Sequence, residues 1–334
     1  MLKRLTAKQR NGLLVIAAVV VVLCILGAVI GSWFGGLLLA GAILVVLAAQ
    51  VRFFASSRRE LEAAGNEMKI LQFRTDAAAV ALARRPAAGS LNQLDSDRVI
   101  TIIGRGHSGT RAISETLHAS KVDMGMPLNP ASDLAPRGFV VDACRMVSRH
   151  VRYLGNLQWD YSQLQTAPID PGFKPLLEVY LWSLFVSDSP YRGWKLPETT
   201  LIYPWLVRCL PEIKYIHWIR DPRDNILGAH MTDQLSEYGV ECEAFGDPMT
   251  SRAASWKYHY DIVKATPRPK HYLEVKLEDF VLQQDQTLKR LQDFLGFALN
   301  KVPVRTDRIR LWQEDPRHKE VDFLQEALQE LSYA

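Results

Sequence analysis

Residues 98–111 read RVITIIGRGHSGTR. The run Val99-Ile100-Thr101-Ile102-Ile103 is apolar and mostly β-branched, which is the composition of a buried strand. Gly104 and Gly106 follow, then Ser108, Gly109 and Thr110. From Ala112 to Ala119 the pattern turns helical, with Ile113 and Leu117 four apart on one face. A strand, a glycine-rich loop and a helix together make a phosphate cradle. The first N–H groups of a helix lack internal acceptors, and the helix dipole favours negative charge beside them. Glycine lets the backbone approach the anion closely.

The loop stops short of a Walker A motif, G-x-x-x-x-G-K-[ST], whose Lys reaches the nucleotide phosphates and whose hydroxyl holds magnesium. Gly104 and Gly109 keep that spacing, but Thr110 and Arg111 stand where Lys and Ser or Thr belong. The anion cradle is kept, and the residues for magnesium-nucleotide chemistry are not. Read alone, the loop is either such a cradle or an ordinary turn between strand and helix.

Further along, a loop spans 124–136, and helical patterns cover about 138–152 and 173–187. A short strand-like piece, Tyr191 to Lys195, runs into Leu196-Pro197-Glu198. Thr199 to Leu210 reads as a helix with Pro204 inside it. Ile213 to Ile219 is a second buried-strand candidate, and it ends in Arg220-Asp221-Pro222-Arg223-Asp224. Helices are expected from about Asn225 and over about 249–265, and a strand over 271–276. Leu288, Leu291, Phe294 and Leu295 give a closing helix its apolar face. Alternating strands and helices imply an α/β fold, a parallel sheet flanked by helices. Ligands bind such sheets at the carboxyl ends of the strands, where both GRGHSGTR and RDPRD emerge. Arginine carries a planar fork suited to phosphate, although Arg220 could instead clamp its own loop through Asp221 or Asp224. Two anion-binding segments on one sheet edge suit a ligand with two separated anionic groups.

These segments resemble the sulfotransferases that use 3′-phosphoadenosine-5′-phosphosulfate (PAPS). VITIIGRGHSGTR is similar to that family's phosphosulfate loop, and YIHWIRDPRDNILGAH to its 3′-phosphate segment. YLEVKLEDFVLQQDQTLKRLQDFLGF resembles its closing strand and helix, so the similarity spans about 98–300. The resemblance implies a P-loop nucleotide-binding-like sulfotransferase fold with PAPS as co-substrate and no metal. It assigns PAPS binding to Arg105, Gly106, His107, Ser108, Gly109, Thr110, Arg111, Arg220 and Gly228. His107 stands where the family usually has Lys or Arg to stabilise the bridging oxygen as sulfate leaves. Gly228 stands where it commonly has Ser for the 3′-phosphate. Lys195, in GWKLPE, resembles a Lys that contacts the phosphosulfate in membrane-linked branches, and it joins His107 as a catalytic candidate. The general base is expected at Asp133, with Asp123, Asp142 and His150 as alternatives.

The flanks carry the rest. Of the 40 Lys and Arg residues, Lys3, Arg4, Lys8 and Arg10 lie in the first 11 positions. The remaining 36 balance 36 acids, so the net +4 describes a membrane-flanking tail rather than a nucleic-acid surface. No charged residue occurs between Arg10 and Arg52, a run about twice the ~20 residues that span a bilayer. Gly31-Ser32-Trp33-Phe34-Gly35-Gly36 offers a break, so two spans of about 12–31 and 36–51 are expected as an N-terminal transmembrane helical hairpin within 1–52. Basic residues on both flanks put the globular part on the cytoplasmic side. Residues 53–97 read as a connecting helix and linker. Phe54, Leu61, Ala64, Met68, Leu71, Thr75, Ala78 and Leu82 fall on alternating three- and four-residue steps, which allows a homodimeric coiled coil through 54–82, a helix packed along its own domain, or one lying on the membrane surface. The catalytic domain is expected over 98–300 and a helical tail over 301–334. Cys24, Cys144, Cys209 and Cys242 show neither disulfide nor zinc spacing.

The reading is then a membrane-anchored sulfotransferase acting on a hydroxyl or amine, with a glycan or lipid-linked acceptor suggested by location. Two competitors are a divergent P-loop kinase or nucleotide hydrolase and a non-catalytic nucleotide-binding membrane protein.

Overall fold

The computed structural model describes residues 89–315, 317 and 321–333. The expected hairpin, the connecting helix and the dimer segment 54–82 lie outside the described residues. No helix among the described residues is long and apolar enough to cross a membrane.

The chain order is β1 (Val99–Ile103), α1 (Thr110–Ala119), α2 (Gly138–Ser148), β2 (Arg152–Gly155), β3 (Gln158–Asp160), α3 (Phe173–Tyr180) and β4 (Arg192–Lys195). It continues with α4 (Tyr203–Cys209), β5 (Lys214–Ile219), α5 (Pro248–Lys264), β6 (Tyr272–Lys276), α6 (Leu277–Leu282), α7 (Gln284–Leu295) and α8 (Gln325–Glu330). Four strands form one parallel sheet in the order β4-β1-β5-β6. Every residue of β1 and β5 is buried, as expected for parallel strands covered on both faces. Alternation along β1 divides its side chains between two cores. Val99 and Ile103 join one cluster, with Trp194, Tyr203 and Trp205, while Ile100 and Ile102 join the other, with Phe280 and Leu291.

The strand order fixes where a ligand can sit. From β1 the chain passes to β4, and from β5 it passes to β6. The two connections diverge between neighbouring strands, which opens a crevice at their carboxyl ends.

Several boundaries differ from the sequence expectation. The helix placed over 138–152 stops at Ser148, and Arg152 to Asp160 form a β2–β3 hairpin. Gly155 and Asn156 adopt positive φ at its turn, which a helix cannot contain. The helix placed over 173–187 ends at Tyr180, followed by the single turn Trp182–Phe185. No helix starts at Asn225. A single turn, Pro222–Asn225, ends there, and 3₁₀ turns follow at Met231–Asp233 and Leu235–Tyr238. Asp221 caps that turn by accepting from the Arg223 amide (2.9 Å), with Pro222 at the first helical position. Leu91 and Leu94, in the expected linker, are fully buried in the first core. The tail is mostly irregular, and its one described α-helix is α8.

Candidate active site

The loop after β1 is fixed from within. The Ser108 hydroxyl and amide both donate to the Arg105 carbonyl, at 2.6 and 3.2 Å. Gly109, at φ 81°, precedes α1. The amides of Gly109, Thr110 and Arg111 come before the Ala112 amide, which donates to the Gly109 oxygen (3.0 Å). They are the orphan donors that an anion satisfies at a helix N-terminus. Gly106 has a different reason for being glycine. A Cβ there would lie 2.2 Å from the His230 ring, which packs directly on the loop. The Thr232 amide donates to His230 Nδ1 (3.2 Å), which leaves the ring proton on Nε2. Burial, with the Arg105 and His107 charges behind it, lowers the His230 pKa to about 3, so the ring stays neutral.

Gly106, His107, Gly109, Thr110 and Arg111 line a cleft of about 710 Å³ together with Asp133, Lys195, Arg220 and Gly228. Nine of the eleven residues expected at the site therefore share one cleft, drawn from the β1, β4 and β5 ends and the 124–136 loop. Its volume lies within the ~300–1,000 Å³ of small-molecule sites.

Arg105 and Ser108 are the exceptions. Arg105 is buried, and its guanidinium donates to the Asn225 side chain and pairs with Asp233. Arg105, expected at the nucleotide, does not line the cleft and instead braces the loop from behind. Its neighbours explain why, since a buried guanidinium needs a carboxylate and Asp233 supplies one. Ser108 turns its hydroxyl inward, onto the Arg105 carbonyl.

Lys195 and Asp133 form a buried ion pair at the cleft wall. The Lys195 ammonium also donates to the Ala131 carbonyl (2.6 Å), and the Asn129 amide donates to Asp133 (3.0 Å). Burial pushes the Lys195 pKa down, and the Asp133 carboxylate opposes that shift. The alternative bases stand elsewhere. Asp123 accepts from Ser187 and the Gly125 amide, Asp142 pairs with Arg145 on the surface, and the His150 ring lies 5.1 Å from Trp205. None of the three lines the cleft.

Arg220 spans the cleft between two main-chain oxygens. It donates to the His107 carbonyl (2.9 Å) and the Arg308 carbonyl (2.6 Å), and lies 3.3 Å from Asp224. The clamp within its own motif and a place in the cleft thus hold together. The two family departures also touch one another. The exposed His107 ring, on a residue at φ 64°, lies over Gly228, where a Cβ would come within 3.2 Å of it. Its Nε2 pairs with the Ala229 carbonyl at 2.6 Å.

The tail also contributes to the site. Arg305, Arg308, Ile309 and Leu311 line the cleft. Asp224 accepts from the amides of Arg310 (2.7 Å) and Trp312 (2.8 Å), and the Arg223 guanidinium lies 3.7 Å over the Trp312 ring. Arg223 also donates to the Tyr333 carbonyl (2.6 Å), and the Tyr333 hydroxyl donates to Glu278 (2.6 Å). No local pattern in RDPRD indicates the tail partners of Asp224 and Arg223, which lie 86 or more residues away.

Several solved structures show some likeness to the chain. A sulfotransferase domain from the curacin biosynthetic pathway is 16% identical, with 63% of this chain and 78% of that one covered and a TM-score of 0.38. A sulfotransferase from Alicyclobacillus acidocaldarius is 13% identical, with 63% and 87% covered and a TM-score of 0.35. The mouse sulfotransferase SULT7A1 complexed with PAP is 16% identical, with 66% and 67% covered and a TM-score of 0.32. Overlap this weak carries no functional weight. A comparison with curated proteins finds no match. The sulfotransferase family model, however, matches residues 99–301, more than half of the 334 residues and the whole of the parallel sheet. The chain belongs to the sulfotransferase family, whose members take their sulfuryl group from PAPS, and is a sulfotransferase.

Proposed function

We propose that this chain transfers a sulfuryl group from PAPS to a hydroxyl or amine, and that it does so at a membrane. The observation that carries the donor assignment is the single cleft joining the α1 N-terminus to Arg220. The amides at the α1 N-terminus, Arg111 and Arg220 line it, as the two ends of a doubly anionic ligand would require, and the volume suits a nucleotide. The amides of Gly109, Thr110 and Arg111 and the Arg111 side chain would hold the phosphosulfate. Arg220 would hold the 3′-phosphate. Leu277, Val281, Ile309 and Leu311 give the same cleft an apolar wall. The donor supplies the sulfuryl group, and 3′,5′-ADP departs.

On the acceptor side, Asp133 would take the acceptor proton, and Lys195, which pairs with it, would hold that carboxylate in position. Main-chain amides and nearby cations meet the charge that develops on the leaving group, without reorganisation. Asp133 and Lys195 make this end of the cleft polar, which suits a glycan hydroxyl better than a flat apolar acceptor. The kinase reading is disfavoured because neither Thr110 nor Arg111 replaces the Walker lysine.

The anchor rests on the uncharged run between Arg10 and Arg52, and the cytoplasmic orientation on the basic residues flanking it. Resistance of the membrane-bound full chain to alkaline extraction is expected, and its release would remove the anchor from this reading. Dimerisation through 54–82 would follow if the connecting helix pairs with a second copy.

Calorimetry with PAP on the full-length chain and on Arg220→Ala tests the donor. Micromolar binding without magnesium is expected, weakened at least about tenfold in the variant, or about 1.4 kcal/mol. A folded chain that ignores PAP would sink the proposal.

A further inference from the structure

Behind the loop lies a small cavity of about 20 Å³ that shares Arg220 with the cleft. Arg105, Arg220, Asn225 and His259 line it. Each of the four carries a buried side-chain nitrogen with no hydrogen-bond partner among the described residues: Arg105 Nε, Arg220 Nε, Asn225 Nδ2 and His259 Nε2. Arg105, Asn225 and His259 are at most 3% exposed.

The polarity of each atom is fixed by its other contacts. The Asn225 oxygen accepts from Arg105, so Nδ2 is the amide donor. His259 Nδ1 faces the Ser255 carbonyl at 2.7 Å and must donate to it. Burial lowers the His259 pKa to about 3, so the ring is neutral and its Nε2 is a bare acceptor. With Trp218, which also lines the cavity and whose indole Nε1 is likewise unpartnered, the lining residues carry four orphan donors and one orphan acceptor.

We propose that one water molecule occupies this cavity, donating to His259 Nε2 and accepting from Arg105 and Asn225, and that His259 thereby positions both anion-gripping segments. The volume holds about one water, and about three hydrogen bonds are usual for a buried one. A halide fits the chemistry poorly. It would face the His259 lone pair, and Arg105 already pairs with Asp233. A water satisfies both signs. His259 lies on α5, outside both motifs, yet through this water it would reach Arg105 of the glycine loop and Asn225 beside RDPRD. Orphaned donors cost more than the bond they lack, so removing the acceptor should loosen both segments.

The functional consequence rests on the PAPS reading, while the water itself does not. The test uses the full-length chain. In His259→Leu the PAP dissociation constant should rise at least about fivefold, and His259→Gln, whose amide oxygen can replace Nε2, should return it to within about twofold. A high-resolution crystal structure, with and without bromide, should show one water within about 3.2 Å of His259 Nε2. A dry cavity or an anomalous bromide peak would overturn the water. Unchanged PAP affinity in a folded His259→Leu variant, or no recovery in His259→Gln, would overturn the positioning role. If the wild-type chain fails to bind PAP, the PAPS reading falls, and the crystal result still decides the water.

Discussion

The two segments proposed to hold the anionic groups of the donor follow neighbouring strands and are built on opposite principles. The loop after β1 works by shape. Gly106 has to be flat under the His230 ring, Gly109 takes a positive φ, and the working donors are main-chain amides. The segment after β5 works by charge. Arg220, Arg223 and Asp224 engage the tail, and Asp221 accepts from its own Arg223 and donates its amide to Glu278 (3.0 Å). A loop set by shape should fail abruptly when an atom is added. A segment set by charge should fail in steps, because each ionic contact is one of several.

The sharpest way to break this comparison is Gly106→Ala. Its Cβ would collide with a ring that Thr232 holds in place, so PAP affinity should fall by more than about 30-fold, or about 2 kcal/mol. Adding His230→Ala should recover part of the loss, which a double-mutant cycle by calorimetry would show. A tolerated Gly106→Ala would mean the ring moves freely and the loop is not set by shape. Next in size is Asp224→Ala. It leaves the Arg310 and Trp312 amides without their carboxylate, and should cost about 1–3 kcal/mol in thermal unfolding. Tryptic cleavage after Arg305 and Arg308 should quicken, while PAP binding weakens only severalfold. Equal collapse of binding would show that the tail is as indispensable as the loop. Gly228→Ser should do least. Its Cβ meets the His107 ring at 3.2 Å, a contact that a shift of a few tenths of an ångström relieves, so affinity should change less than about threefold. A tenfold gain would reveal a phosphate contact that the natural glycine forgoes.

His107 and Gly228 show how residues separately unusual in sequence become one feature in space. Each departs from the resemblance at its own position. In the structure the ring of one lies over the bare Cα of the other, and its Nε2 meets the carbonyl of Ala229. A serine at 228 would crowd that ring, so neither departure can be judged without the other.

Strand identity, the α/β class and the two motifs were legible in the sequence because they depend on local composition. β-Branched runs bury themselves, and glycine clusters mark turns whatever lies beyond them. The same locality hid the β2–β3 hairpin, where Tyr153 packs on Trp159 and Trp159 on Tyr258 of α5 instead of continuing a helix. It also hid the true place of Arg105. Within GRGHSGTR that arginine resembles a ligand-binding cation, and only the arrival of Asp233, 128 residues away, turns it inward. By itself the sequence determined that a glycine-rich loop follows a buried strand, that an arginine-rich segment follows another, and that the N-terminal run is uncharged. Only the tertiary structure decided that Arg220 and Lys195 face the cleft while meeting Asp224 and Asp133, and that Arg105 turns away from it to Asp233, because a buried cation takes the carboxylate that packing, rather than spacing along the chain, brings beside it.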